Sequence, residues 1–367
     1  MGLESINTPN NSCIDELAAI WAIQRVAADG VPPPLNPDVR PHSERSLVPA
    51  FDPVTDAELR AHYCLEAADR VPSDPETSAF KRRARLHQAL WREGRGLEIG
   101  SEPMRPKPGH PGRPLGSRIA VDAARESQAN LLNEDIRRAV RHRLVNPQPH
   151  QTLYEDRLYC DLLSSMPMCF NLFGVLQADR EMADRAVHAW WPDVPGRVCA
   201  VRFEWSPGRL LPGQYLENRS AFDVAFEIEL EDGSRGILGV ETKYHENCKR
   251  EKAPNDDRCR RYAEVTARSA VMSSESMETI LGTDLQQLWL DHLLALSMPQ
   301  HASRTWSWAG FALVHPARNP SYARAAERYR ALLEEAATIR VSTLESLLAA
   351  DVLPEATASV FAERYLL

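Results

Sequence analysis

The chain has 367 residues, of which 43% are apolar and 26% charged, with a formal net charge of −8. This is ordinary globular composition, long enough for one large domain with an added segment or for two domains. No run of about 18 apolar residues exists, so no membrane span is expected.

The N-terminal MGLESINTPNNSC has no basic region followed by an apolar one, so no secretory leader is expected. Seven scattered cysteines lack framework spacing, which fits a reduced, cytoplasmic compartment. Residues 1–79 carry thirteen acidic and five basic side chains and so account for the whole −8. The remainder is neutral, with its bases in clusters. A nucleic-acid partner therefore stays open, because phosphate contacts act within a Debye length of about 8–10 Å. No GxxxxGK[ST] or GxSxG is present, so nucleotide hydrolysis and serine-hydrolase chemistry have no support.

In chain order, Ile14, Leu17, Trp21 and Val26 are helically spaced over 12–29, and 31–53 is proline-rich and extended. Thr55 and Glu58 form a capping box that opens a helix ending before Pro72. A helix over 77–93 carries Lys81, Arg82, Arg83, Arg85 and Arg92. It is followed by a Pro/Gly-rich basic loop over 105–118, containing Lys107, Arg113 and Arg118, suited to phosphate contact or to a solvated linker. Further helices are predicted over 122–144, 152–164 and 170–191, then a strand over 197–205 and a loop over 206–218 that carries Arg209.

From Phe222 to Leu230 the residues alternate strictly, which is the strand period. A second arm runs from Gly236 to His245. A two-residue turn at Asp232-Gly233 would set the two apolar faces on opposite sides. A three-residue loop, Glu231-Asp232-Gly233 with glycine in the left-handed position, pairs Phe226 with Leu238 and Val224 with Val240. That register sets Asp223 opposite Glu241, with Lys243 on the same face. Facing carboxylates repel at roughly 4.5–5.5 Å. A hard divalent cation relieves the repulsion, and an ammonium beside it holds a water or a phosphate oxygen. A solvated polar face is the alternative reading of the same pattern.

Asp223 followed by Glu241-Thr242-Lys243 resembles the signature of the PD-(D/E)xK nuclease superfamily, the restriction-endonuclease-like fold. The resemblance implies that Asp223 and Glu241 ligate a catalytic Mg²⁺ or Mn²⁺, that the Thr242 carbonyl adds a ligand, and that Lys243 activates the attacking water. It also implies a helical glutamate before the sheet, for which Glu155 is the best match, and a glutamine after the motif, Gln286 or Gln287. Phe222 stands where the family often has proline. A wider likeness to a bacterial restriction-endonuclease-like group runs from about His87 to Met298.

After the hairpin come a basic cluster that includes Lys249 and Arg250, helices over 256–271 and 284–296, a buried strand over 306–315, and helices over 322–337, 343–350 and 355–365. His245, Cys248 and Cys259 lack the fourth ligand and the spacing of a zinc site. The expected fold is α/β: a restriction-endonuclease-like core with a central mixed sheet flanked by helices, plus a helical N-terminal extension. The expected divisions are an acidic segment 1–79, a basic region 80–150 and a nuclease-like core 151–367. The expected partner is DNA, with RNA open beside it and no membrane. Arg82, Arg83, Lys107, Arg113, Arg118, Lys249 and Arg250 are the expected contacts, and cleavage of both strands would call for a homodimer. The rival readings are an inactive nucleic-acid-binding relative and a protein-interaction scaffold.

Overall fold

The computed structural model describes residues 53–151 and 153–367. The helix expected over 12–29 and most of the extended stretch after it lie outside these residues. The Thr55–Glu58 capping box forms as expected and opens α1 (Asp56–Ala61). This helix ends well short of Pro72, because the chain turns left-handed at Tyr63 (φ 51°). Asp74 caps α2 (Pro75–Gly94), accepting from the Thr77 amide at 3.1 Å. Phe80, Ala84 and Trp91 of α2 are part of the main apolar core.

Strands β1 (Ile99–Glu102) and β2 (Arg113–Ile119) form an antiparallel pair. Part of the predicted basic loop is therefore a strand, with Leu115, Ser117 and Ile119 buried in alternation. Pro114 and Gly116 hid that pattern. Gly116 is there for close packing, since a Cβ on it would meet the His62 carbonyl oxygen at 2.0 Å.

The helix expected over 122–144 is broken into α3 (Val121–Ser127) and α4 (Glu134–Val145). Gln128 ends the first with φ 48°, and Asn133 caps the second. The next two expectations change for the same reason. Only α5 (Glu155–Cys160) forms within 152–164. Ser164 then caps α6 (Ser165–Phe173), and Asp179 caps α7 (Arg180–Trp190). Each cap oxygen satisfies an otherwise orphaned amide, so these polar residues start new helices rather than continue old ones.

The central sheet is β3 (Arg197–Trp205), β4 (Phe222–Glu229), β5 (Arg235–Thr242), β6 (Trp306–His315) and β7 (Ile339–Thr343), in that spatial order. The first two pairings are antiparallel and the last two parallel. The crossover from β5 to β6 carries α8 (Asp256–Ser269), α9 (Ser274–Glu278) and α10 (Gln286–Ser297); α11 (Pro320–Arg330) precedes β7. Strand β7 falls between two predicted helices and was not expected. The chain closes with α12 (Leu344–Ala349) and α13 (Glu355–Tyr365).

Both faces of the sheet are covered. On one, Phe170, Phe173 and Trp190 pack against Val224, Phe226, Leu238 and Val240. On the other, Tyr262, Trp289 and Tyr329 pack with Ala225, Ile237, Phe311 and Leu313. The expected α/β architecture with a central mixed sheet is thus the observed one. Among the described residues no helix is long and apolar enough to cross a membrane.

The hairpin has the register of a three-residue loop. Phe226 pairs with Leu238 and Val224 with Val240. The Leu230 amide donates to the Ser234 carbonyl, the Gly233 amide donates to the Leu230 carbonyl (both 2.9 Å), and Gly233 has φ 77°. Beyond Val224 the β4–β5 ladder stops, whereas β5 continues alongside β6, with the Lys243 amide donating to Val314 O at 2.9 Å.

Candidate active site

The site lies where that ladder stops. The Thr242 amide has no β4 carbonyl to bond and donates instead to Asp223 Oδ2 at 2.8 Å; the Thr242 hydroxyl donates to the same oxygen at 2.7 Å. Asp223 is therefore fixed by a side chain–to–backbone bond that replaces a rung. This refines the expected face-to-face pairing with Glu241. Thr242 is fully buried and enters the site as a donor to Asp223.

Glu241 and Lys243 lie next to each other on β5 and its extension, both about nine-tenths buried (8% exposed each). Lys243 Nζ is 2.7 Å from Glu241 Oε1 and 5.8 Å from the centre of the Tyr322 ring. Burial raises the Asp223 carboxyl above its ordinary range, against the pull of Lys243 and the two Thr242 bonds. Burial, then the charge of Asp223, push Glu241 well up. For Lys243 burial is the largest effect and works downward, but Glu241, Tyr322, Asp291 and Glu246 together outweigh it and the ammonium is held firmly charged.

Two further carboxylates, not singled out in the sequence, share the same field. Pairing of Phe203 with Val224 and of Trp205 with Phe222 sets Glu204 across from Asp223. Its backbone is left-handed (φ 47°), an unusual state for a non-glycine residue. Its carbonyl accepts from both Arg143 and Arg209 at 3.1 Å, which holds the position. Burial, then Asp223, raise the Glu204 carboxyl to about 8. From the opposite side α10 brings Asp291 into a cleft with Glu241, Lys243, Gln287 and Tyr322. Burial raises Asp291 to about 7 against the attraction of Lys243. Both were within reach of the sequence: Glu204 is in a predicted strand, and Asp291 is one helical turn after Gln287.

Asp223, Glu241, Asp291 and Glu246 thus act on one ammonium, with Glu204 beyond Asp223, all hard oxygen donors. Among the described residues no three acidic, imidazole or thiol groups converge into a ready-made cage. This donor set suits Mg²⁺ or Mn²⁺, which bind through one or two carboxylates and leave the other positions to water and phosphate oxygens.

Glu155 is not brought to this cluster. It is the first residue of α5, its side chain is 48% exposed, and its carboxylate is 3.1 Å from Arg125 Nη1. The short helix starts too late for Glu155 to project from its middle toward the sheet. Glu246 stands nearer. It accepts from the Tyr244 amide at 3.0 Å and from Ser165 Oγ at 3.1 Å. Gln286 is buried and structural, bonded to Gly282 N and Lys252 O, whereas Gln287 lines the cleft.

The expected DNA contacts sort into two groups. Arg82 is spent on Asp56 and the Val54 carbonyl, Arg113 on Glu66, and Arg118 on Glu102 and the Ser101 carbonyl. Arg250 is exposed and donates to the Gly282 carbonyl at 2.7 Å. Lys107 and Lys249 are exposed, and Arg83 is half-buried. A cavity of about 220 Å³ beside the site is lined by Arg85, Arg118, Arg157, Ser164, His245 and Glu246. His245 is committed to Asp69 at 2.9 Å, which gives it a structural role in place of zinc ligation.

A family profile described as the PD-(D/E)XK nuclease superfamily matches residues 72–367. The chain belongs to the PD-(D/E)XK nuclease superfamily. The match begins just before α2 and takes in the whole sheet and all the carboxylates of the candidate site. Among curated proteins and among solved structures, none matches the chain.

Proposed function

We propose that this superfamily member is a Mg²⁺- or Mn²⁺-dependent nuclease that hydrolyses phosphodiester bonds in DNA. The observation that carries the reading is the convergence of Asp223, Glu241 and Lys243 at one end of β5, with Asp223 fixed by Thr242 and Lys243 2.7 Å from Glu241. Asp223 and Glu241 would hold the cation, which supplies Lewis-acid polarisation of the phosphoryl oxygen and a more acidic water.

The chain's own groups do the rest. Lys243, kept charged by Glu241 and the other acidic groups around it, donates to the attacking water or to a non-bridging oxygen, where negative charge grows in the transition state. Asp291, held near neutrality at about 7, is the carboxylate best matched to accept the proton that the water loses. The neighbouring cavity, with Arg157 in its wall, gives a flanking phosphate a place to lie.

The test is incubation of the purified protein with supercoiled plasmid, with and without Mg²⁺, for wild type and Glu241→Ala. Metal-dependent nicking or linearisation is expected for the wild type alone, with DNA retardation kept by the variant. Cleavage unchanged in Glu241→Ala would remove this site from the chemistry. Retardation without cleavage by the wild type would make the chain a binding protein that kept the fold.

A further inference from the structure

The segment 206–219, which joins the Glu204 end of β3 to Asp223 at the start of β4, presents Leu210 and Leu211 to solvent at 67% and 56% exposure. The two adjacent leucines make an exposed apolar tip on this loop. They are not on a slack tether. On one side of the pair Arg209 is buried and donates to Gln148 Oε1, the His150 carbonyl and the Glu204 carbonyl at 3.1–3.2 Å. On the other, Arg261 donates to the Tyr215 and Gln214 carbonyls at 2.6 and 3.2 Å, and the Tyr215 ring stacks on His301 with centroids 4.8 Å apart. The Gln214 amide donates to the Leu211 carbonyl at 3.0 Å and closes the tip.

One arginine thus ties the base of this prong to the carbonyl of Glu204, which lies across from Asp223. The prong's orientation is fixed relative to the candidate active site. Arg219, on the same loop four residues before Asp223, is exposed and has no ion pair or hydrogen bond among the described residues. A surface that combines an apolar tip, a free guanidinium and a place beside a phosphodiester-cleaving site matches one kind of occupant in particular. Apolar side chains wedge between base steps, while a cation beside them meets the backbone phosphate.

We propose that Leu210 and Leu211 form a wedge that enters the base stack of duplex DNA beside the scissile phosphate, with Arg219 on the adjoining phosphate. The proposal rests on the nuclease reading of the site. Partial unstacking would bend the duplex and bring the scissile phosphate down to the recessed Asp223 and Lys243.

The test is permanganate oxidation of unstacked thymines on supercoiled plasmid bound in Ca²⁺, comparing wild type with the double variant Leu210→Ser/Leu211→Ser. The wild type is expected to create hyper-reactive thymines, and the variant to lose them by about tenfold while keeping its thermal unfolding midpoint. Equal reactivity in the two proteins overturns the wedge. So does a change from dimer to monomer in light scattering of the variant, which would assign the leucines to contact with a second copy. Plasmid that is neither bound nor cut by the wild type overturns the nuclease reading and the wedge with it. Plasmid cut in Mg²⁺ without thymine exposure overturns the wedge alone.

Discussion

Without a cation, the crowded carboxylates should make the protein less stable as pH rises above 6.5. Glu204 has a folded-state value of about 8 against 4.5 when unperturbed, and Asp291 about 7 against 3.8. Both are acids with raised values, so between the two limits the folded state holds a proton that the unfolded state has lost. Stability then falls with pH and levels off above the folded value. Below 6.5 the buried histidines act in the opposite direction. Burial lowers His87, His245, His292 and His315, so raising the pH toward 6.5 stabilises the fold. Half protonated at pH 6.5 in the unfolded chain, these four still add about 1.6 kcal/mol of stability between pH 6.5 and 8, so the clean readout is the difference between wild type and a Glu204 variant, in which they cancel.

At about 1.4 kcal/mol per pH unit, Glu204 contributes a loss of about 1.6 kcal/mol across that window and Asp291 about 0.8 kcal/mol. Urea denaturation in EDTA should show wild-type stability losing about 1.6 kcal/mol more than that of Glu204→Gln between these pH values. Saturating Mn²⁺ should flatten the wild-type curve, because the cation takes the place of the protons. An identical fall in wild type and variant, or one that Mn²⁺ leaves untouched, would refute the electrostatic account of the cluster.

Thr242→Val removes the hydroxyl bond to Asp223 at nearly constant volume. It should cost about 1.5–3 kcal/mol in urea denaturation and weaken Mn²⁺ binding in titration calorimetry. Lys243→Met should lower the rate of plasmid cleavage by at least about a hundredfold while Mn²⁺ still binds, since the lost group stabilises developing charge. Gly239→Ala would set a Cβ 2.2 Å from the ring of Phe222, the residue before Asp223. Overpacking of about 1–3 kcal/mol and a loss of cleavage are expected together, readable by thermal melting and the plasmid assay.

Much of the sheet was legible because its signals are local. Alternation marked β4, apolar residues marked β3 and β6, and the requirement that two apolar faces coincide chose the three-residue loop and so the register. With the register came the trio, since Asp223, Glu241 and Lys243 occupy one end of a hairpin whichever helices surround it. Helix boundaries were less legible. Asn133 and Asp179 read as interior polar residues, and Ser164 as the end of a helix, until their side chains are seen to cap. Strand β7 is five residues long and gains its identity from pairing with β6.

The sequence by itself determined the hairpin, its register and the chemistry of its acidic end, because period and turn geometry act over a few residues. Only the tertiary structure decided which carboxylates complete the site. Glu155 is held off by Arg125, while Glu204 and Asp291 arrive from β3 and α10. Those meetings join residues 19 and 68 positions from Asp223, and no local rule links them. They follow from strand order and helix packing, where burying two apolar sheet faces at once leaves the acids together at the one polar end.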